Sequence, residues 1–204
     1  MASRRTAADL CVRPGTPAAA ERIVRRAAEL GYGVLGVEAS NEAWEAAKET
    51  CRELSVKCLR RITLASSSTS RIKKMLRNSR HADLVAVKPE SVSVARFAAR
   101  DGRVKLVVAY TPMFLDRSER RLFSLGGGAV EIPLPRPGLV QELRLALVSM
   151  RRAVASGLRV VLSSHAQDEW DLWSPASAAS LAVLAGLPAR VGFEFMYTNY
   201  RGVV

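Results

Sequence analysis

The feature that constrains this chain most is a repeated alternation. Short apolar runs of strand length are each followed by a stretch whose apolar residues recur at helical spacing. Ala7–Val12, Val34–Val37, Val56–Leu64, Asp83–Val87, Val104–Ala109, Ala129–Leu134, Arg159–Ser163 and Val191–Met196 read as eight strands. Between them lie amphipathic stretches with start signals: Thr16-Pro17, Asn41, Ser91 and Ser174-Pro175 stand where N-caps and first helical residues belong. The helix after Gly138 carries Leu139, Leu143, Leu147, Met150 and Val154 as its inward stripe, and Gly157 ends it. Gly126-Gly127-Gly128 precedes a strand rather than a helix, so it reads as a turn and not as a phosphate loop.

Runs such as Leu84-Val85-Ala86-Val87 and Leu106-Val107-Val108-Ala109 are apolar at every position, as expected of strands covered on both faces. Parallel strands joined by crossover helices follow. The expected fold is α/β: a TIM-like barrel of about eight or more mostly parallel strands, forming a single domain over residues 1–204. An open doubly wound sheet is the alternative, weakened by the lack of G-x-G-x-x-G after the first strand. No apolar run is long enough to cross a bilayer. The basic opening Met1–Arg5 leads into no signal-peptide core, so a cytoplasmic protein is expected. The three cysteines, Cys11, Cys51 and Cys58, form no C-x-x-C pair and read as reduced thiols.

Charge narrows the function. There are 31 Lys and Arg against 19 Asp and Glu, a net of +12. Such an excess points to a polyanionic partner, with biased codon usage as the plain alternative. The excess is clustered. From Val56 to Ala82 stand Lys57, Arg60, Arg61, Arg71, Lys73, Lys74, Arg77 and Arg80, with no acidic residue. Ile72, Met75 and Leu76 form the buried stripe of the helix here, and Lys73, Arg77 and Arg80 at i, i+4, i+7 share another face. Like charges so placed repel one another, and a phosphate backbone would relieve them. Arg60 and Arg61, adjacent in a strand, project to opposite sides, so at most one enters the barrel mouth.

Metal-assisted hydrolysis is the natural rival for a barrel. The two histidines, His81 and His165, are far apart, and no H-x-H, H-E-x-x-H or Cys/His cluster exists in the sequence. After the first strand Asp9 and Cys11 could ligate a metal, but Arg13 would repel it, so no metal site and no catalytic residue is expected. Trp170 and Trp173 fall on one short loop, either packed there or offered to a partner.

Several segments in order, Ala8-Asp9-Leu10-Cys11-Val12, Asp83–Pro89, Ala129-Val130-Glu131-Ile132, Ser163-Ser164-His165-Ala166, Trp170–Pro175 and Ser180-Leu181-Ala182, resemble the family of archaeal ribonuclease P protein component 3 and its thirty-kilodalton eukaryotic counterpart. The resemblance runs through nearly the whole chain. It implies a TIM-like barrel related to metal-dependent hydrolases of the polymerase-and-histidinol-phosphatase (PHP) type. Cys11 and Arg13 stand where those relatives carry H-x-H. It also implies a holoenzyme that removes the 5′ leader from precursor tRNA. Its RNA subunit does the chemistry with Mg²⁺, and this chain binds no cofactor. The implied partners are the RNase P RNA, precursor tRNA indirectly, and component 2 in a heterotetramer. The family often has Gly at the position of His165 and Arg at that of Trp173.

The expected RNA-binding residues are Arg13, Arg60, Arg61, Lys73, Lys74, Arg77, Arg80 and Lys88, positioning phosphates without reading bases. Trp170 and Trp173 are the expected partner surface. The alternative function is a stand-alone hydrolase or isomerase clamping a phosphorylated small molecule with Arg13, Arg61 and Lys88. A protein-binding scaffold with incidental charge is the third.

Overall fold

The computed structural model describes residues 6–110, 112, 115–136 and 138–204, so the basic opening Met1–Arg5 lies outside the described residues. Among the described residues seven strands, β1 (Ala7–Val12), β2 (Tyr32–Val37), β3 (Lys57–Ser66), β4 (Leu84–Pro89), β5 (Leu106–Val108), β6 (Ala129–Pro133) and β7 (Val160–Ser163), run parallel in the order β1 to β7. Helices α1 (Pro17–Glu29), α2 (Asn41–Glu53), α3 (Thr69–Asn78), α4 (Val92–Arg100), α5 (Arg117–Gly126) and α6 (Val140–Ala155) make the crossovers. Then α7 (Pro175–Leu184) and α8 (Ala189–Tyr197) follow β7.

The sheet curls into a nearly closed TIM-like barrel. At the seam, His165 N donates to Cys11 O (2.9 Å), Arg13 N to Ala166 O (2.6 Å), and Val12 and Ala166 form a parallel bridge. The Asp9 carboxylate completes the join by accepting from Ser164 N at 3.1 Å and 3.2 Å. On its other side, β1 has a register break against β2 between Asp9 and Val12, and Leu10 O there lies close to Gly36 of β2. A Cβ on Gly36 would lie 2.2 Å from Leu10 O, so only glycine fits there.

The apolar residues divide into two clusters, as the two faces of a closed sheet require. The larger packs strands against the helical shell. The smaller, with Ala8, Leu10, Val34, Leu59, Leu84, Ala86, Leu106, Val108, Ala129 and Val161 joined by Tyr200 and Val203, fills the barrel. Tyr200 closes the end where the strands begin, and its hydroxyl donates to Thr6 O at 3.1 Å.

Three expectations are corrected. Val191–Met196 is not an eighth strand but lies within α8. Gly192, Phe195 and Met196 are its buried residues, at helical rather than alternating spacing, and a Cβ on Gly192 would strike Ala179 O of α7 at 2.2 Å. In α6, Met150 is buried with Ala146, Ser149 and Ala153, while Leu139 is exposed. Cys51 and Cys58 form a disulfide rather than two free thiols. The short turn from α2 into β3 brings their Cα atoms to 6.1 Å, inside the range a bridge needs. Cys11 is a free, buried thiol.

Candidate functional site

Two groups of polar residues stand out: a buried cluster at the barrel mouth and an exposed cationic helix beside it. The mouth is built from the ends of β1, β2, β3, β6 and β7. Inward alternation along β3 and β6 puts Arg61 and Glu131 above the apolar filling of the barrel. Both are buried, and they form a bidentate pair at 2.6 Å and 2.7 Å. Arg61 also donates to Leu10 O (2.7 Å) and Thr63 Oγ1 (3.2 Å). Burial alone would push the Glu131 carboxyl up, but the Arg61 guanidinium and His165 outweigh it and hold it well below the usual carboxylate range. Above this pair, Glu38 accepts from Thr63 N (2.8 Å), Thr63 Oγ1 (2.9 Å) and Arg13 Nε (2.9 Å).

His165 leaves β7 with φ of +55°, a left-handed conformation that costs a residue with a Cβ on the order of 1 kcal/mol and suits glycine. Its Nδ1 lies 3.3 Å from the Tyr110 hydroxyl, and Lys88 Nζ sits 4.8 Å over the Tyr110 ring. Asp9, fully buried under the seam, is pushed up to about 6 by burial, although Ser164 and the Cys11 amide stabilise its charged form. Burial likewise pushes the Cys11 thiol up. A cavity of about 300 Å³ opens over the cluster, lined among others by Arg13, Tyr110, Arg136, Ser164, His165 and Trp173.

The second group is α3. Ser68 caps it by accepting from Arg71 N, and Ile72 and Leu76 are buried with Met75 partly so, as the sequence stripe requires. Lys73, Lys74 and Arg77 are therefore exposed. Arg80 is exposed too, but past the helix end, in the turn after Ser79. Lys73 Nζ lies 5.4 Å over the Phe97 ring of α4. None of these four cations forms an ion pair among the described residues.

The remaining expected RNA-binding residues divide. Arg60 points outward, 5.8 Å over the Trp44 ring and hydrogen-bonded to Asn41 Oδ1. Lys88 is exposed. Arg13 is half-buried and committed to Glu38. Arg61 is corrected: it is the inward residue of the Arg60-Arg61 pair, has no solvent exposure and is consumed by Glu131, so it meets no phosphate. The same pairing removes Arg61 from any clamp on a small phosphorylated substrate. Trp170 is 78% exposed, whereas Trp173 packs against the core and its carbonyl accepts from Tyr32 Oη (2.9 Å). Trp170 is thus the more exposed of the two, and Trp173 is half-buried at the mouth cavity. Val183 and Leu184 on α7 and Phe193 on α8 are exposed apolar side chains, and sequence reasoning misses the exposure of Phe193 because the α8 segment reads as a strand.

Comparison with known proteins agrees with this architecture. The family model described as RNase P subunit p30 matches residues 6–204. Ribonuclease P protein component 3 of Aeropyrum pernix is 31% identical over 190 residues, covering 88% of each chain. A chain in the cryo-EM structure of archaeal Ribonuclease P with mature tRNA superposes with a TM-score of 0.74 at 16% identity, over 96% of this chain and 89% of that one.

Proposed function

The chain belongs to the RNase P subunit p30 family, and from that premise we propose that it is a protein subunit of ribonuclease P that binds and stabilises the catalytic RNA removing the 5′ leader from precursor tRNA. The observation that carries the RNA-binding part is the α3 surface. Lys73, Lys74 and Arg77, with Arg80 just beyond, are exposed and pair with no carboxylate among the described residues. Such a surface repels itself until an outside polyanion neutralises it. An RNA backbone does so and releases its counterions. Lys88 and Arg60, also free of carboxylates among the described residues, extend the same reading. Arg13 contributes only if Glu38 gives it up.

On this reading the chain supplies charge and shape, not chemistry. Mg²⁺ on the RNA serves the cleavage, and ordering phosphates around it is the protein's share. Precursor tRNA is met indirectly. Component 2, in a heterotetramer, is the protein partner, with Trp170 a side chain offered to it. On this reading the assembly works in the cytoplasm. No helix among the described residues is long and apolar enough to cross a membrane.

The test is RNA binding by Lys73→Ala/Arg77→Ala/Arg80→Ala across a salt series. The slope of log affinity against log salt should flatten by roughly 0.7–0.9 for each phosphate that is no longer neutralised. An unchanged slope and affinity removes α3 from the interface.

A further inference from the structure

The barrel mouth holds a set of donors that RNA binding does not use. Cys11 Sγ from β1, a Glu131 oxygen from β6 and an imidazole nitrogen of His165 after β7 lie within 4.8 Å of one another. No spacing in the sequence announces this trio; closure of the barrel assembles it. We propose that Cys11, Glu131 and His165 form a zinc site that staples the β7–β1 seam to β6, with a fourth position open to the mouth cavity. The proposal departs from the expectation that this chain binds no metal, and it does not rest on the RNA-binding reading.

Four observations support it. The first is an orphaned atom: His165 Nε2 is buried and has no hydrogen-bond partner among the described residues. It stands 3.5 Å from Glu131 Oε1, long for a hydrogen bond. Two ligands on one tetrahedral zinc, each with a bond of about 2.0–2.1 Å, are separated by about 3.4 Å. The second is orientation. Tyr110 Oη lies at hydrogen-bond distance from Nδ1, which leaves Nε2 to face the donors, as a metal-ligating histidine requires.

The third is charge. Without a metal, the Asp9, Glu38 and Glu131 carboxylates face the guanidinium groups of Arg13 and Arg61. Zinc would displace the Cys11 proton, and its two positive charges would then offset the new thiolate and the one excess carboxylate. Arg61 does not block the site, because it holds Glu131 from one side while Oε1 still faces His165. The fourth is the left-handed backbone at His165, where glycine would be free of strain. An imidazole kept there at an energetic cost has a task at that point. Thiolate with imidazole and carboxylate is a donor set suited to zinc. Water from the mouth cavity would fill the fourth position of the tetrahedron.

The experiment uses the full chain, stripped by chelator and dialysed against Zn²⁺. Metal content is measured by mass spectrometry, with Co²⁺ as a spectroscopic substitute. The expected result is one Zn²⁺ per chain, a rise in Tm on addition of Zn²⁺, and a thiolate-to-cobalt charge-transfer band with Co²⁺. His165→Gly relieves the backbone and is expected to fold. It should cut Zn²⁺ affinity by at least tenfold, and Cys11→Ser should abolish the charge-transfer band. Failure of the stripped wild-type protein to take up stoichiometric Zn²⁺ overturns the proposal, as does undiminished uptake by folded His165→Gly. A pH-dependent Tm that Zn²⁺ does not move would instead identify the His165–Glu131 approach as a simple ion pair and also overturn it.

Discussion

Arg61 lies inside the barrel with no solvent exposure, its two terminal guanidinium nitrogens held by the two carboxylate oxygens of Glu131. Arg77, on the helix that leaves the same strand, is exposed and pairs with no carboxylate among the described residues. One βα unit thus puts the same side chain to opposite uses. Inside, an unpartnered charge would be ruinous, so Arg61 is bound to its own chain and unavailable to any other. Outside, water tolerates the lone charge at little cost, so Arg77 needs no internal partner and remains open to an external one. The number of arginines therefore says less about a nucleic-acid surface than which of them lack a carboxylate.

Breaking the inner pair tests this contrast hardest. Glu131→Gln leaves Arg61 buried and unbalanced, and should lower unfolding free energy by about 3–5 kcal/mol, read from the urea midpoint. Replacing both partners by apolar residues, Arg61→Met with Glu131→Leu, should recover most of that loss. A double replacement as unstable as the single one would mean that the pair organises the mouth beyond its own charges.

Acidity sharpens the comparison next. Asp9 has a raised pKa, about 6 in the folded chain against 3.8. The folded state therefore holds the proton where the unfolded state has released it. Its contribution is present at low pH and lost as pH rises from about 4 to 6, by about 3 kcal/mol as an order of magnitude. Glu131 acts with the opposite sign: its depressed pKa gives stability that is present above its ordinary 4.5 and lost as pH falls below it. Thermal unfolding over pH 4–7 should show the Asp9 slope, and Asp9→Asn should flatten it. The smallest effect belongs outside. Lys73→Ala/Arg77→Ala/Arg80→Ala should change unfolding free energy by no more than about 0.5 kcal/mol. A larger loss would mean that these side chains have intramolecular duties.

Much of this architecture is legible in the sequence because barrel strands and their helices carry local signals. The alternation, the Thr16, Ser91 and Ser174 caps and the α3 stripe all appear where residue type and spacing place them. Val191–Met196 misleads because six largely apolar residues fit a buried strand and a buried helix face alike. The opposite projection of Arg60 and Arg61 follows from strand geometry. Which one turns inward depends on Glu131, seventy residues away. The Cys11, Glu131 and His165 grouping and the Cys51–Cys58 bridge have the same origin. They are juxtapositions made by folding, and no spacing rule reaches them.

The hydrogen bond from Tyr200 to Thr6 spans 194 positions, and the β1–β7 seam about 155. A ribosome delivers β1 first and its seam partner late, so for most of synthesis the growing sheet has two raw edges and an unsealed floor. Folding of such a chain is paced by its slowest, longest-range closure. Until Tyr200 emerges, the nascent barrel is a sheet of strands open to mispairing, and that interval is when a chaperone would matter most.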